Sequence, residues 1–151
     1  MTLTQQRYSL TDIERAAVLR RAQEYLVRVE DKREAKALKD QGKTQREIAE
    51  ILQITQPRVH RLLKSVELDG GDVPVTPREQ IYRAALENSS RAELINWLVS
   101  YPHTFTEYAP EPFDGSIPGT WTEVRTALLT GLLSQEEYDQ IAEKVHPPVS
   151  A

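Results

Sequence analysis

The stretch from Gln45 to Lys64, QREIAEILQITQPRVHRLLK, limits the possible folds of this chain more than any other segment. With Thr44 just before it, it carries two helix-start signals separated by about three helical turns. Thr44 with Glu47 forms a capping box, in which each side chain covers the other's free backbone N–H. Thr55 caps a second helix, and Pro57 is tolerated in its first turn because an N–H there has no helical partner. Ile48, Ala49 and Leu52 make the inner face of the first helix. Ile54 plugs the turn, and Val59, Leu62 and Leu63 return to the core at helical spacing. Upstream, Glu34 to Gln41 reads as the end of a supporting helix with Ala35 and Leu38 inward, closed by Gly42 where a left-handed residue is cheapest. The expectation is two short helices joined by a tight corner.

What the second helix leaves outward is Gln56, Pro57, Arg58, His60, Arg61 and Lys64. Hydrogen-bond donors on one face of a helix suit a polyanion with readable edges. The run TQREIAEILQITQPRVHRLLK resembles the helix-turn-helix of bacterial and phage transcription regulators, in particular the N-terminal modules of SorC-type sugar-responsive repressors and of Cro-like regulators. The resemblance covers about thirty residues. It departs at Gln53, where the family usually has Gly to permit a positive φ; Gln there costs about 1 kcal/mol. The resemblance implies that Gln56, Pro57, Arg58, His60 and Arg61 read bases or line the groove wall. Lys43, Thr44, Gln45, Arg46 and Lys64 become candidate phosphate contacts. The alternative from the residues alone is a helical hairpin with a solvated basic face.

Charge is unevenly spread. The chain is −4 overall, yet residues 1–70 hold 14 basic and 11 acidic side chains, whereas residues 71–151 hold 5 and 12. A basic front and an acidic back are expected of a DNA-binding module joined to another function. The chain has no Cys, which excludes disulfides and thiolate metal sites and fits a reducing cytoplasm. No apolar run reaches membrane-spanning length and the first residues lack a signal-peptide pattern. The expected location is therefore the cytoplasm, with no membrane contact.

The rest of the chain also reads as helical, and the expected fold class is all-α with two lobes. Residues 9–30 form one amphipathic helix, with Thr11 and Glu14 as a capping box. Its stripe of Val18, Ala22, Tyr25 and Val29, flanked by Leu19 and Leu26, packs on the helical corner or pairs with a second copy. No Gly or Pro separates it from the next helix. Residues 1–68 make the front lobe, 69–76 a linker with Gly70, Gly71 and Pro74, 77–146 the back lobe, and 147–151 a disordered tail. In the back lobe, helix starts fall at Thr76-Pro77, Ser90 with Glu93, Thr120 with Glu123, and Ser134 with Glu137. The expected inward residues are Ile81, Ala84, Ala85 and Leu86, then Leu94, Trp97 and Leu98, then Val124, Leu128 and Leu132, and last Tyr138, Ile141 and Val145. No strand alternation stands out.

Tyr101 to Gly119 is a long proline-rich loop containing Tyr101, Phe105, Tyr108 and Phe113, with Trp121 just beyond. Either it folds over the lobe and completes the core, or its aromatics grip a partner protein. His103 and Glu107, with Asp114 nearby, match no defensible metal-ligand spacing. Glu136 and Glu137 read as first-turn charges that favour the helix dipole. No cofactor fingerprint or nucleophile motif is present, so no enzymatic activity, metal or cofactor is expected.

These readings converge on a repressor that binds double-stranded DNA through its helix-turn-helix, as a homodimer on an inverted repeat. One alternative is an antitoxin that represses its own operon and neutralises a basic toxin through the acidic back lobe. Another is a protein-interaction adaptor whose corner is only structural.

Overall fold

The computed structural model describes residues 9–110 and 115–149. The fold is mostly helical, with seven helices and one two-stranded ribbon among the described residues. In chain order they are α1 (Leu10–Asp40), α2 (Gln45–Leu52), α3 (Gln56–Leu68), α4 (Pro77–Glu87), α5 (Arg91–Ser100), β1 (Glu107–Tyr108), β2 (Ser116–Ile117), α6 (Trp121–Leu129) and α7 (Gln135–Val145). The contacts divide the chain into two compact units. One holds residues 23–74; the other joins the start of α1, through Ala22, to residues 75 onward.

This division differs from the sequence-based one in its first boundary. Helix α1 is a single 31-residue helix, because nothing between its two amphipathic stretches breaks it. Its cap is Ser9, not Thr11: the Ser9 hydroxyl accepts from the Asp12 N–H at 3.3 Å and donates to the Asp12 carboxylate at 2.7 Å. Val18 and Leu19 pack against the core built around Trp121, so the stripe splits between units. Ala22, Leu26 and Val29 are buried within the monomer.

The 23–74 unit is built on the end of α1, α2 and α3. Ala35, Ile48, Ala49, Val59 and Leu63 form its core, with Leu38, Leu52 and Ile54 packed alongside. Gly42 ends α1 at φ 86°, and the Lys43 N–H reaches back to the Leu38 carbonyl at 3.0 Å. After α3, Gly71 donates to the Val66 carbonyl at 2.9 Å. The segment that follows is tied down: Arg33 Nη2 donates to the Val73 carbonyl at 3.2 Å.

The other unit packs α4, α5, α6 and α7 around Trp121, its largest fully buried side chain. Thr76, Ser90 and Ser134 cap α4, α5 and α7 as their spacing implies, and Ser134 with Glu137 completes a capping box. Thr120 does not cap α6. Its hydroxyl instead accepts from the Thr104 N–H at 2.9 Å, and the Thr120 N–H in turn donates to the Thr104 hydroxyl at 3.0 Å. Glu123 is likewise diverted, accepting from the Arg78 N–H at 2.7 Å. Helix α6 stops at Leu129. Gly131, at φ 78°, turns the chain so that Leu132 and Leu133 both enter the core. Leu128 is only half-buried, its expected place being taken by Ala127.

The 101–119 loop contains the ribbon that sequence alternation does not reveal. Glu107 pairs with Ile117 and Tyr108 with Ser116. Of the expected tail, Pro147, Pro148 and Val149 follow α7 without helix or strand. Ser150 and Ala151 lie outside the described residues, as do Phe113 and Asp114.

Candidate functional site

Helix α3 is held by both its ends and its inner face. Thr55 adopts extended geometry and its hydroxyl accepts from the Arg58 N–H at 3.3 Å. Pro57 occupies the first turn. Val59, Leu62, Leu63 and Val66 are buried, which fixes the rotation of the helix about its axis. Gln56, Pro57, His60, Arg61 and Lys64 are consequently exposed. None of His60, Arg61 and Lys64 has a hydrogen-bond or ion-pair partner among the described residues. From Ile51 to Val66 there is no Asp or Glu.

The turn before α3 carries the strain expected of it. Gln53 sits at φ 58°, ψ 43°, in the left-handed region, and its N–H bonds to the Ala49 carbonyl. Ile54 follows, half-buried against the core, with its N–H also directed at Ala49 at 3.1 Å.

Arg58 differs from its neighbours. Its Nη2 donates to Oδ2 of Asp31 on α1 at 3.1 Å, with the arginine side chain 42% exposed and the carboxylate 16%. Sequence reasoning missed this contact because the partners stand 27 residues apart. Arg58 is thus half-committed internally, and the exposed edge of α3 rests on Gln56, His60, Arg61 and Lys64.

The residues ahead of α3 are mixed in character. The Thr44–Glu47 capping box forms, with Glu47 N–H donating to the Thr44 hydroxyl at 3.2 Å and Thr44 N–H to the Glu47 carboxylate at 3.1 Å. Those bonds, the backbone one foremost, hold the Glu47 carboxyl below the usual carboxylate range. Lys43 lies 4.0 Å from Glu47, and Arg46 lies 3.6 Å from Glu50. Both cations therefore have carboxylates one turn away. Gln45 is half-buried.

The aromatic loop divides differently from the sequence reading. Trp121 is 1% exposed and belongs to the core, so it offers no contact surface. Its burial follows from its place at the start of α6, under His103, Phe105 and Tyr138. Tyr101 stacks on Trp97 with ring centroids 5.0 Å apart, and both are half-buried. Tyr108 is exposed at 68% and Ile117 at 70%. Their register puts Tyr108 opposite Ser116 and Ile117 opposite Glu107, hence on opposite faces of the ribbon. They do not form one patch.

His103 is a packing residue. Its Nε2 lies 2.7 Å from the Leu98 carbonyl and its ring meets Trp121 edge-on, while Nδ1 has no hydrogen-bond partner among the described residues. Burial lowers its pKa, so the neutral ring that donates to Leu98 is favoured. Glu107 is exposed on β1. Among the described residues no three His, Asp or Glu side chains are placed to hold a metal ion together. Glu137 is more than a dipole charge: it accepts from Arg91 at 2.7 and 2.8 Å in a fork.

No family model, curated protein or solved structure matches this chain.

Proposed function

We propose that the chain is a sequence-specific double-stranded DNA-binding regulator that docks α3 in the major groove. One observation carries this reading. Helix α3 has its inner face locked by Val59, Leu62 and Leu63, while Arg61, His60 and Lys64 are exposed with no hydrogen-bond or ion-pair partner among the described residues. Exposed donors on a fixed helix, Arg61 and Lys64 among them charged, are pre-positioned for a polyanion, and little side-chain bonding must be broken before they engage.

Arg61 has the geometry for a bidentate contact to guanine, and Gln56 for adenine. Each such contact discriminates by about 1–3 kcal/mol. Lys64 provides a phosphate contact, joined by Lys43 and Arg46 when they leave their carboxylates. A single helix reads only a few base pairs, so a homodimer on two half-sites about one helical turn apart is the expected assembly. Among the described residues the toxin-neutralising alternative draws no support from the aromatic segment: Trp121, at the start of α6, is sealed, and Tyr108 and Ile117 face apart.

The test is titration of the full chain with mixed-sequence duplex DNA, followed by fluorescence anisotropy. Wild type is expected to bind with strong salt dependence, and Arg61→Ala to bind more weakly. Equal affinity for the two proteins, with α-helical content unchanged, removes the reading and favours the adaptor.

A further inference from the structure

Helix α1 contributes a cation to this surface that the sequence reading did not select. Arg28 and Asp31 stand three residues apart on α1, and Arg58 and Arg61 stand three apart on α3, so each pair shares a helix face. The Asp31–Arg58 ion pair joins the two faces. Arg28, Arg58, Arg61 and Leu62 line one open cleft of about 380 Å³, all within the 23–74 unit.

The electrostatics of this cleft are unbalanced. Three guanidinium groups line it, and Asp31 offsets one of them through a single guanidinium nitrogen. Arg28 and Arg61 have no hydrogen-bond or ion-pair partner among the described residues. Like charges gathered this way repel unless an anion sits between them. A guanidinium presents five N–H donors in a planar fork, which matches a phosphate oxygen pair. Leu62 supplies a small apolar floor.

We infer that the Arg28–Arg58–Arg61 cleft is a seat for one backbone phosphate of the duplex bound by α3, with Arg28 the contact supplied by α1. This rests on the reading of α3 as the groove-facing helix. Within it, Arg28 sets the position of the helix on the DNA and carries no base information. Asp31 keeps Arg58 at the cleft and leaves its remaining N–H groups for the phosphate.

Arg28 is exposed and has no hydrogen-bond or ion-pair partner among the described residues, so its replacement is not expected to disturb folding. The experiment measures affinity of the full chain for two unrelated duplexes over a range of salt concentrations, for wild type, Arg28→Ala, Arg28→Lys and Arg61→Ala. Circular dichroism checks each fold. The expected result is that Arg28→Ala weakens both duplexes equally and reduces the salt slope by about one. Arg28→Lys is expected to recover the slope. If Arg28→Ala keeps wild-type affinity and slope while Arg61→Ala loses binding, the phosphate seat is overturned and the α3 reading stands. If neither substitution changes binding, or wild type binds neither duplex, both fall.

Discussion

Gln53 carries the clearest local cost in the molecule. It occupies left-handed space at φ 58° without the short side-chain amide, close enough to bond the local backbone, that makes Asn88 comfortable at φ 54°. Replacing it with Gly is expected to raise the unfolding free energy of the 23–74 unit by about 1 kcal/mol. Urea denaturation followed by circular dichroism checks this, and a loss of stability contradicts it. Glu137 makes a second residue-scale prediction. The Arg91 hydrogen bonds, then the Ser134 N–H, push its carboxyl down to about 2. A folded pKa below the unfolded value, about 4.3, favours the folded state above that value. This contribution is lost as pH falls from about 4 toward 2. Glu137→Gln is expected to lower stability near pH ~5 and to flatten the decline seen in wild type at lower pH. Denaturation midpoints at several pH values provide the measurement.

At the scale of elements, packing and loop closure set the outcome. Gly119 meets the Thr104–Phe105 backbone so closely that an added Cβ would fall 2.4 Å from Phe105 N and the Thr104 carbonyl group. Gly119→Ala is therefore expected to break the reciprocal Thr104–Thr120 clasp and destabilise the Trp121 unit by about 1–3 kcal/mol. Thermal unfolding, compared with the exposed control Thr122→Ala, tests it. The elements also show which features of the fold were legible. The Thr44–Glu47 box, the Thr55 cap and the buried face of α3 were readable because each depends on neighbours within one or two turns. The all-helical class was readable for the same reason. Thr120 was misread because a partner 16 residues away takes its hydroxyl, and the role of Trp121 stayed open between core and contact surface because an aromatic beside a loop looks the same whether it faces solvent or core. A ribbon of two residues per strand is too short to show alternation. The continuity of α1 was foreseen, but its division between two cores was not, since that depends on which distant side chains meet Val18 and Leu19.

At the scale of the whole molecule, charge must be counted by unit. The sequence halves suggest a basic front, but residues 23–74 carry ten basic and ten acidic side chains. That unit is neutral. Its affinity for DNA, on this account, comes from segregation: Arg28, His60, Arg61 and Lys64 are exposed, while Asp31 is taken up by Arg58, Glu47 and Glu50 lie beside Lys43 and Arg46, and Glu67 falls in the last turn of α3. A neutral unit with a local basic face should lose affinity steeply with salt yet bind mixed DNA only weakly at physiological ionic strength. Selection of bound sequences from a random duplex pool tests the central claim most directly. Wild type is expected to enrich an inverted repeat with half-sites about one helical turn apart, and Arg61→Ala to relax one position of each half-site. A pool that emerges without any enriched motif, or a motif unaltered by Arg61→Ala, would contradict groove recognition by α3.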